Sequence, residues 1–204
     1  MAETNPNARL EAFSDGVFAF ALTLLIVDIK IPSSARIETT NDFWLALSHI
    51  IPSVYAFLLS FFIILITWVN HHGHVKLLNK TSASFIYANG LLLLTVVFIP
   101  FPTALLGDYL FTDHSSPAVV LYNVVLALQA ISWIFVSRVA LKNQLARNEK
   151  SALTILEHAK YGYLALTIYS LCAIVAFWFP LAIAITTTLI WIFWLIVSIR
   201  TKYE

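Results

Sequence analysis

Two clusters of polar side chains stand out from an otherwise apolar sequence. The first opens the first apolar segment and contains Arg9, Glu11, Ser14 and Asp15. The second is the run WVNHHGH from Trp68 to His74, which places three histidines within four residues. Side chains of these types can form a hydrogen-bond network, ligate a metal, or titrate near neutral pH.

The histidine run has the residue types of a metal site but not its arrangement. His71 and His72 are adjacent, so they point to different sides of a helix, and no cysteine or acid lies near them in the sequence. We therefore expect no bound metal and no cofactor. Ser48 and His49 are sequence neighbours, which rarely form a catalytic pair, so no catalytic residue is assigned and no enzyme is expected.

The composition places the chain in a membrane. Of its 204 residues, 60% are hydrophobic and 11% are charged, and the mean hydropathy is +0.83. This balance excludes a soluble domain of this size. The formal net charge of +1 gives no indication of a nucleic acid partner, and none is expected. The single cysteine, Cys172, excludes an intrachain disulfide.

Six apolar segments predict an all-α integral membrane protein that forms a single domain over residues 1–204. We expect the spans at about 8–31, 43–69, 83–106, 118–140, 160–179 and 181–199. Pro180 predicts a tight hairpin between the last two spans, and Pro100 and Pro102 predict a kink near the end of the third.

Basic residues predict the orientation of these spans. Arg36 and Lys30 lie on one side of the predicted membrane, and the other side collects Arg9, Lys76, Lys80, Arg138, Lys142, Arg147, Lys150, Lys160, Arg200 and Lys202. The bias places both termini in the cytoplasm. The loops on the other side, which carry Lys30 and Arg36, are acidic. This acidity either attracts cations or is a by-product of the same bias.

The first span has two faces. Steps of three and four residues place Phe13, Gly16, Phe20, Leu24, Val27 and Ile31 on one side, and Glu11, Ser14, Asp15, Leu22, Leu25 and Ile29 on the other. Because a carboxylate in a bilayer needs a partner, the polar side should pack against other helices. A histidine or Asn70 is the expected partner of Asp15. Such a network is either purely structural or part of gating.

The pattern R-x-x-x-F-S-D at Arg9 to Asp15 resembles a known family signature. The chain is similar to the endolysosomal potassium channels called transmembrane protein 175, specifically to their single-repeat bacterial relatives. Trp68, His71 and His72 resemble the family's W-x-x-H element, and Asn89 followed by leucines resembles its third span.

The resemblance implies a homotetramer in the bilayer, with the first helix of each subunit lining a central pore for monovalent cations, K⁺ above all. It implies apolar constriction rings at Phe20, Leu24 and Val27, with Thr23 in the threonine position; Phe20 stands where the family carries Ile or Leu. A helix network with a gating role is implied for Arg9, Phe13, Ser14, Asp15, Trp68, His71, His72 and Asn89, and Asp28 falls at the outer mouth. The sequence has no T-V-G-Y-G carbonyl filter. The implied location is a cell membrane, the bacterial inner membrane for a single-repeat member.

Other functions remain open on the residues alone. The same helices can serve a proton leak or a secondary carrier, although the later predicted spans have no ionisable residue deep in the hydrocarbon. A structural or metal-handling membrane protein would use the histidine run. The apolar stripe on the first span is also the pattern of ordinary helix packing.

Overall fold

The computed structural model describes residues 6–34 and 37–200, apart from the side chain of Arg200. Arg36 and Lys202, used above for the orientation, lie outside the described residues. Within those ranges the chain forms helices α1 Ala8–Leu24, α2 Thr40–Ser48, α3 Ile51–Lys76, α4 Ala83–Phe98, α5 Pro100–Tyr109, α6 Ser115–Lys142, α7 Glu149–Val175 and α8 Pro180–Arg200. A 3₁₀ turn, Leu25–Asp28, extends α1.

Five helical segments within the described residues are long and apolar enough to cross a membrane, where the sequence predicted six. They are Ala8–Asp28, Ile51–Lys76, Ala83–Tyr109, Ser115–Lys142 and Pro180–Ile199. The segment predicted at 160–179 belongs to α7, which has sufficient length at 27 residues but is not among them. Its hydropathy is lowered because its first half carries Glu149, Lys150, Glu157 and Lys160.

α7 nevertheless runs the height of its neighbour α6 in the opposite direction. At one end of the bundle, His158 of α7 contacts His74 of α3, with 3.1 Å between their Nδ1 atoms. At the other end, the Ser116 hydroxyl at the start of α6 donates to the carbonyl of Ala176, just after α7, at 3.1 Å. α7 therefore lies beside the candidate spans along their length.

Prolines lie close to helix boundaries inside two of the predicted spans. The segment predicted at 43–69 begins as the separate helix α2, which is capped by the side chain of Thr39 and has no buried residue. Pro52 lies in the first turn of α3, which provides the packed part of that segment. Pro100 begins α5, but Ile99 keeps helical angles, φ −54° and ψ −41°, so α4 and α5 continue as one candidate span.

The helix α3 lies at the centre of the bundle, against α1, α5 and α8. At its middle, the Ser60 hydroxyl hydrogen-bonds to the Thr103 hydroxyl of α5 at 2.6 Å and to the Tyr122 hydroxyl of α6 at 2.9 Å. We call the end of the bundle that carries Lys76 and Lys142 the basic end. The acidic end is the opposite one, where the 3₁₀ turn and α5 finish at Asp28 and Tyr109.

Two connections meet at the basic end and hold the start of α1. Leu78, between α3 and α4, forms an antiparallel bridge with Ala146, between α6 and α7. The Asn79 amide donates to the Leu145 carbonyl at 2.9 Å. The side-chain amide of Asn7, which is buried, donates to the Leu78 carbonyl at 3.2 Å. The residue before α1 is thus bonded to the connection between α3 and α4, which pairs in turn with the connection between α6 and α7.

Candidate functional site

The two faces of α1 lie in opposite environments, as the sequence predicted for its polar side. Ser14, Phe18, Ala21 and Leu25 are buried against the rest of the subunit, with exposures of 1% or less. Phe18 and Ala21 occupy the same helical face as the polar residues, which lets α1 pack closely on α3 and α4. The orientation of α1 in the subunit is therefore set by this face.

The opposite face of α1 is uncovered in the single chain. Phe13, Phe20 and Val27 are 63%, 61% and 73% exposed, and Leu24 is half-buried. At Gly16 an added Cβ would meet no heavy atom within 4 Å. Thus the residues predicted for the constriction lie along an open surface, on which the described chain leaves Phe20 and Val27 uncovered and covers Leu24 in part.

Thr23 lies on the edge of this open face. Its side chain is exposed, and its hydroxyl donates to the Phe20 carbonyl at 2.9 Å. A threonine hydroxyl that donates in this way keeps its oxygen lone pairs as acceptors. The edge of the open face therefore presents one hydroxyl oxygen that can accept, beside apolar side chains.

A chain of hydrogen bonds connects the buried face of α1 to α4 and α3. The Asn89 side-chain amide of α4 donates to the Ser14 hydroxyl at 3.0 Å. His71 of α3 donates from Nε2 to the Asn89 side-chain oxygen at 2.6 Å. All three residues are buried, at 2% exposure or less. Asn89 thus bonds to both neighbours at once.

A second bond joins α1 directly to α3. The Trp68 indole donates from Nε1 to Asp15 Oδ1 at 2.8 Å. The His72 ring stacks on Trp68 at 6.1 Å between ring centroids, and His71 contacts the Phe18 ring at 5.3 Å. A donor for the Asp15 carboxylate is what an acid at membrane depth requires.

The expectation that Asp15 pairs with a histidine or Asn70 was wrong. Asn70 accepts instead from the Ser198 hydroxyl of α8 at 2.8 Å. His74 points away from α1, towards His158. Trp68 was missed as the partner of Asp15, although it lies three residues before His71 and so shares its side of α3.

The remaining predicted network residues lie outside this buried cluster. Arg9 is exposed at the basic end, and Phe13 lies on the open face rather than among the hydrogen-bonded side chains. The described residues contain no group of three or more His, Cys, Asp and Glu side chains placed to hold a metal ion.

At the acidic end, an ion pair ties the segment after α1 to α5. Lys30 Nζ lies 2.8 Å from Asp108 Oδ2, with both side chains substantially exposed. Its hydrogen bond to the Asp108 carboxylate raises the pKa of Lys30. Asp28, predicted at the outer mouth, ends the 3₁₀ turn two residues earlier and is partly exposed. The sequence signal for this ion pair was the opposite charge of Lys30 and Asp108, which lie at the same ends of the first and third predicted spans.

Comparisons with known proteins agree with this arrangement. Residues 9–100 match the family model described as the endosomal/lysosomal potassium channel TMEM175. The crystal structure of a lysosomal potassium-selective channel TMEM175 homolog from Chamaesiphon minutus superposes with a TM-score of 0.83. That structure is 33% identical in sequence and matches 94% of this chain and 97% of its own. The chain therefore belongs to the TMEM175 family, and it is a multi-pass membrane protein.

Two curated relatives are named potassium channels. One, from Chamaesiphon minutus, is 48% identical over 120 residues, which is 59% of either chain. The other, from Streptomyces collinus, is 42% identical over 135 residues, which is 63% of this chain and 64% of the relative. The matched region thus spans less than two thirds of the length of either relative.

Proposed function

We propose that the chain is a potassium-permeable cation channel that assembles as a homotetramer, with α1 of each subunit lining a central pore. The observation that carries the proposal is the division of α1 into a face fixed by buried polar bonds and an open apolar face. The names of the relatives support potassium as the permeant ion. The whole chain acts as one channel domain, with no enzymatic activity, metal or cofactor.

The constriction in this proposal consists of side chains alone. Phe20, Leu24 and Val27 follow one another at intervals of four and three residues along the open face, so four subunits would stack three apolar rings. Apolar rings of small radius close a pore by excluding water. Thr23 would offer hydroxyl oxygens to a cation that sheds part of its hydration shell.

Gating would act through the bonds that hold α1. Ser14 and Asp15 are bonded to two different helices, α4 and α3, through Asn89 and Trp68. A change in either bond would let α1 tilt or rotate and alter the width of the rings. A change of charge on a histidine of this network would be one such change and would make opening sensitive to pH.

The proposed orientation places the basic end and both chain termini in the cytoplasm. It follows the bias of lysine and arginine towards that end, and it requires α7 to cross with its neighbours, which its antiparallel course along α6 supports. Asp28 would then lie at the outer mouth and raise the local cation concentration. Similarity to single-repeat bacterial members favours the bacterial inner membrane.

Planar-bilayer recording of the purified full chain in opposed potassium and sodium gradients tests this function. We expect unitary currents that reverse towards the potassium equilibrium potential, from a particle with the mass of four subunits. Transport that never exceeds ~10³ ions per second would indicate a carrier, whose cycle requires a microsecond-to-millisecond rearrangement at each turn. Currents carried by protons alone would indicate a leak. A conducting monomer would contradict the tetramer and the shared pore.

A further inference from the structure

An exposed arginine lies within an apolar span, near the basic end of the bundle. Arg138 belongs to the candidate span Ser115–Lys142 and precedes the last residue of α6 by one turn. At ~1.5 Å rise per residue, its Cα lies roughly 6 Å inside that end. Its side chain is exposed. Because a guanidinium stays charged, at this depth it requires a partner or access to the membrane surface.

The described chain supplies Arg138 with an aromatic ring but with no anion. The Arg138 Cζ atom lies 5.6 Å from the centroid of the Tyr163 ring of α7. This cation–π contact orients the guanidinium but leaves its charge uncompensated. No carboxylate among the described residues forms an ion pair with Arg138. Glu157, the nearest acid before Tyr163 along α7, lies about 120° around the helix from Tyr163. An anion for Arg138 therefore has to come from outside the described residues.

Two lysines extend the positive charge along the same edge of the bundle. Lys142 lies one turn after Arg138 on α6, and Lys160 lies three residues before Tyr163 on α7. Because the two helices run antiparallel, both lysines lie on the basic-end side of the contact between Arg138 and Tyr163. Both are exposed, and neither forms an ion pair within the described part of the chain. We call these four residues the basic edge of α6 and α7.

Apolar side chains continue from the basic edge towards the middle of the two helices. Phe135 and Ile131 on α6 are exposed, and so are Leu164 and Leu171 on α7. Positive charge at the end of a span, followed by exposed apolar side chains, is complementary to an anionic phospholipid. Its headgroup lies at the membrane surface and its acyl chains extend into the hydrocarbon. The surface belongs to α6 and α7, whereas α1 packs mainly on α3 and α4.

We propose that the basic edge binds the headgroup of an anionic phospholipid in the leaflet at the basic end. The lipid phosphate accepts hydrogen bonds from the Arg138 guanidinium, which the Tyr163 ring holds in place. Lys142 and Lys160 add positive charge that favours a headgroup without a cation of its own. The acyl chains lie along the exposed apolar side chains of α6 and α7. Binding does not depend on channel function or on which side of the membrane the basic end faces.

Native mass spectrometry of the full chain, purified in a non-ionic detergent, tests the site without any measurement of current. Phosphatidylglycerol and phosphatidylcholine with identical acyl chains are titrated separately, and the dissociation constant of the first lipid bound per subunit is measured. The two probes share the phosphate, but only phosphatidylcholine carries a compensating cation. We expect phosphatidylglycerol to bind on the order of tenfold to a hundredfold more tightly, because each nearby cation favours an anionic lipid by about fivefold.

Matched variants separate a defined site from general attraction by the basic end. Arg138→Gln should weaken phosphatidylglycerol binding by about fivefold or more, since it removes a charge and the guanidinium donors. Arg138→Lys keeps the charge but not the planar donors, so its affinity should lie between those of the wild type and Arg138→Gln. Lys76→Gln removes the same charge at the exposed last residue of α3, one turn after His72. It should change the affinity by less than about twofold, because Lys76 lies outside the basic edge.

Three results would overturn the proposal. One is an equal affinity of the wild type for the two lipids. The second is an equal loss of phosphatidylglycerol binding in Arg138→Gln and Lys76→Gln, which would mean that the basic end attracts anionic lipids without a defined site. The third is displacement of phosphatidylglycerol by glycerol phosphate at concentrations close to the lipid's own dissociation constant, which would mean a site for free anions that uses no acyl chain.

Discussion

The rest of the subunit covers α1 and α8 to a similar small extent, yet the two helices differ in sequence. In their most apolar stretches, 28% of the residues are buried in α1 and 22% in α8. α8 has no charged residue between Pro180 and Ile199, whereas α1 carries Arg9, Glu11 and Asp15 in its first turns. The two helices therefore differ in the charge of their first turns rather than in the extent of their exposure.

Both helices are also held by buried polar bonds on their inner faces. For α8, the Thr187 hydroxyl donates to the Asn123 side-chain oxygen of α6 at 3.1 Å, in a buried position. The corresponding bond of α1 runs from Asn89 to Ser14. This similarity makes the two helices a matched pair, in which the same chemical change can be made at a proposed pore helix and at a lipid-facing one.

The largest difference is expected from truncation of the exposed apolar side chains. Leu24→Ala and Phe20→Ala should change unitary conductance, or discrimination between potassium and sodium, on the order of tenfold, which corresponds to a barrier change of ~1.4 kcal/mol. The reason is that, in the proposed tetramer, each substitution would shorten four side chains of a narrow ring. Single-channel recording measures the effect.

Ile185→Ala and Leu189→Ala are the controls on α8, where both residues are more than 60% exposed. They should leave conductance and selectivity as in the wild type. Equal effects, or no effects, at the two helices would show that the open face of α1 lines no ion path.

A smaller difference is expected when the inner polar bonds are removed. Asn89→Leu leaves Ser14 and His71 without their partner, and it should lower the free energy of unfolding by about 1–3 kcal/mol. Asn123→Leu should have a similar cost through Thr187. Of these two variants, only Asn89→Leu should alter open probability, since Asn89 bonds to α1 and Asn123 does not. Thermal unfolding and single-channel recording on the same preparations check both expectations. Altered gating in Asn123→Leu alone would contradict the proposal that the bond of Asn89 to α1 takes part in gating.

The dependence of current on pH sharpens the comparison further. His72 is partly exposed and stacks on Trp68, which holds Asp15. His72→Gln should reduce the change in current between pH 5 and pH 8, because it removes the imidazole beside that bond. His114→Gln, near the acidic end, should not. A pH response that survives in His72→Gln and His71→Gln would exclude these histidines from gating.

The smallest effect is expected at the ion pair of Lys30 and Asp108. Because the carboxylate raises the pKa of Lys30, the charged lysine contributes stability at neutral pH, and this contribution is lost on the alkaline side as the pH rises above the ordinary value of 10.5. Both groups are exposed, so Lys30→Gln should change Tm little, and less at high salt. A large decrease of Tm in Lys30→Gln at neutral pH would mean that the ion pair stabilises the fold more than its exposure suggests.

The sequence predicted which face of α1 packs against the other helices, because its charged residues and its exposed apolar residues fall on different sides at helical spacing. It did not predict Trp68 as the partner of Asp15, since an indole in an apolar segment can point to lipid, to a core or to a polar group. Three-dimensional packing decides among these. The break between α2 and α3 was missed because Ser48 to Ile50 carry no strong stop signal before Pro52.

The two attachments of α1 differ in how they respond to the surroundings. At its start, the buried Asn7 side chain is bonded to the connection after α3, and this bond is shielded from dissolved ions. Beyond its other end, Lys30 is held by an exposed ion pair, which added salt weakens. In the proposed gating, α1 would therefore pivot near Asn7 and move most near Lys30, where the ionic strength of the medium would affect the ion pair.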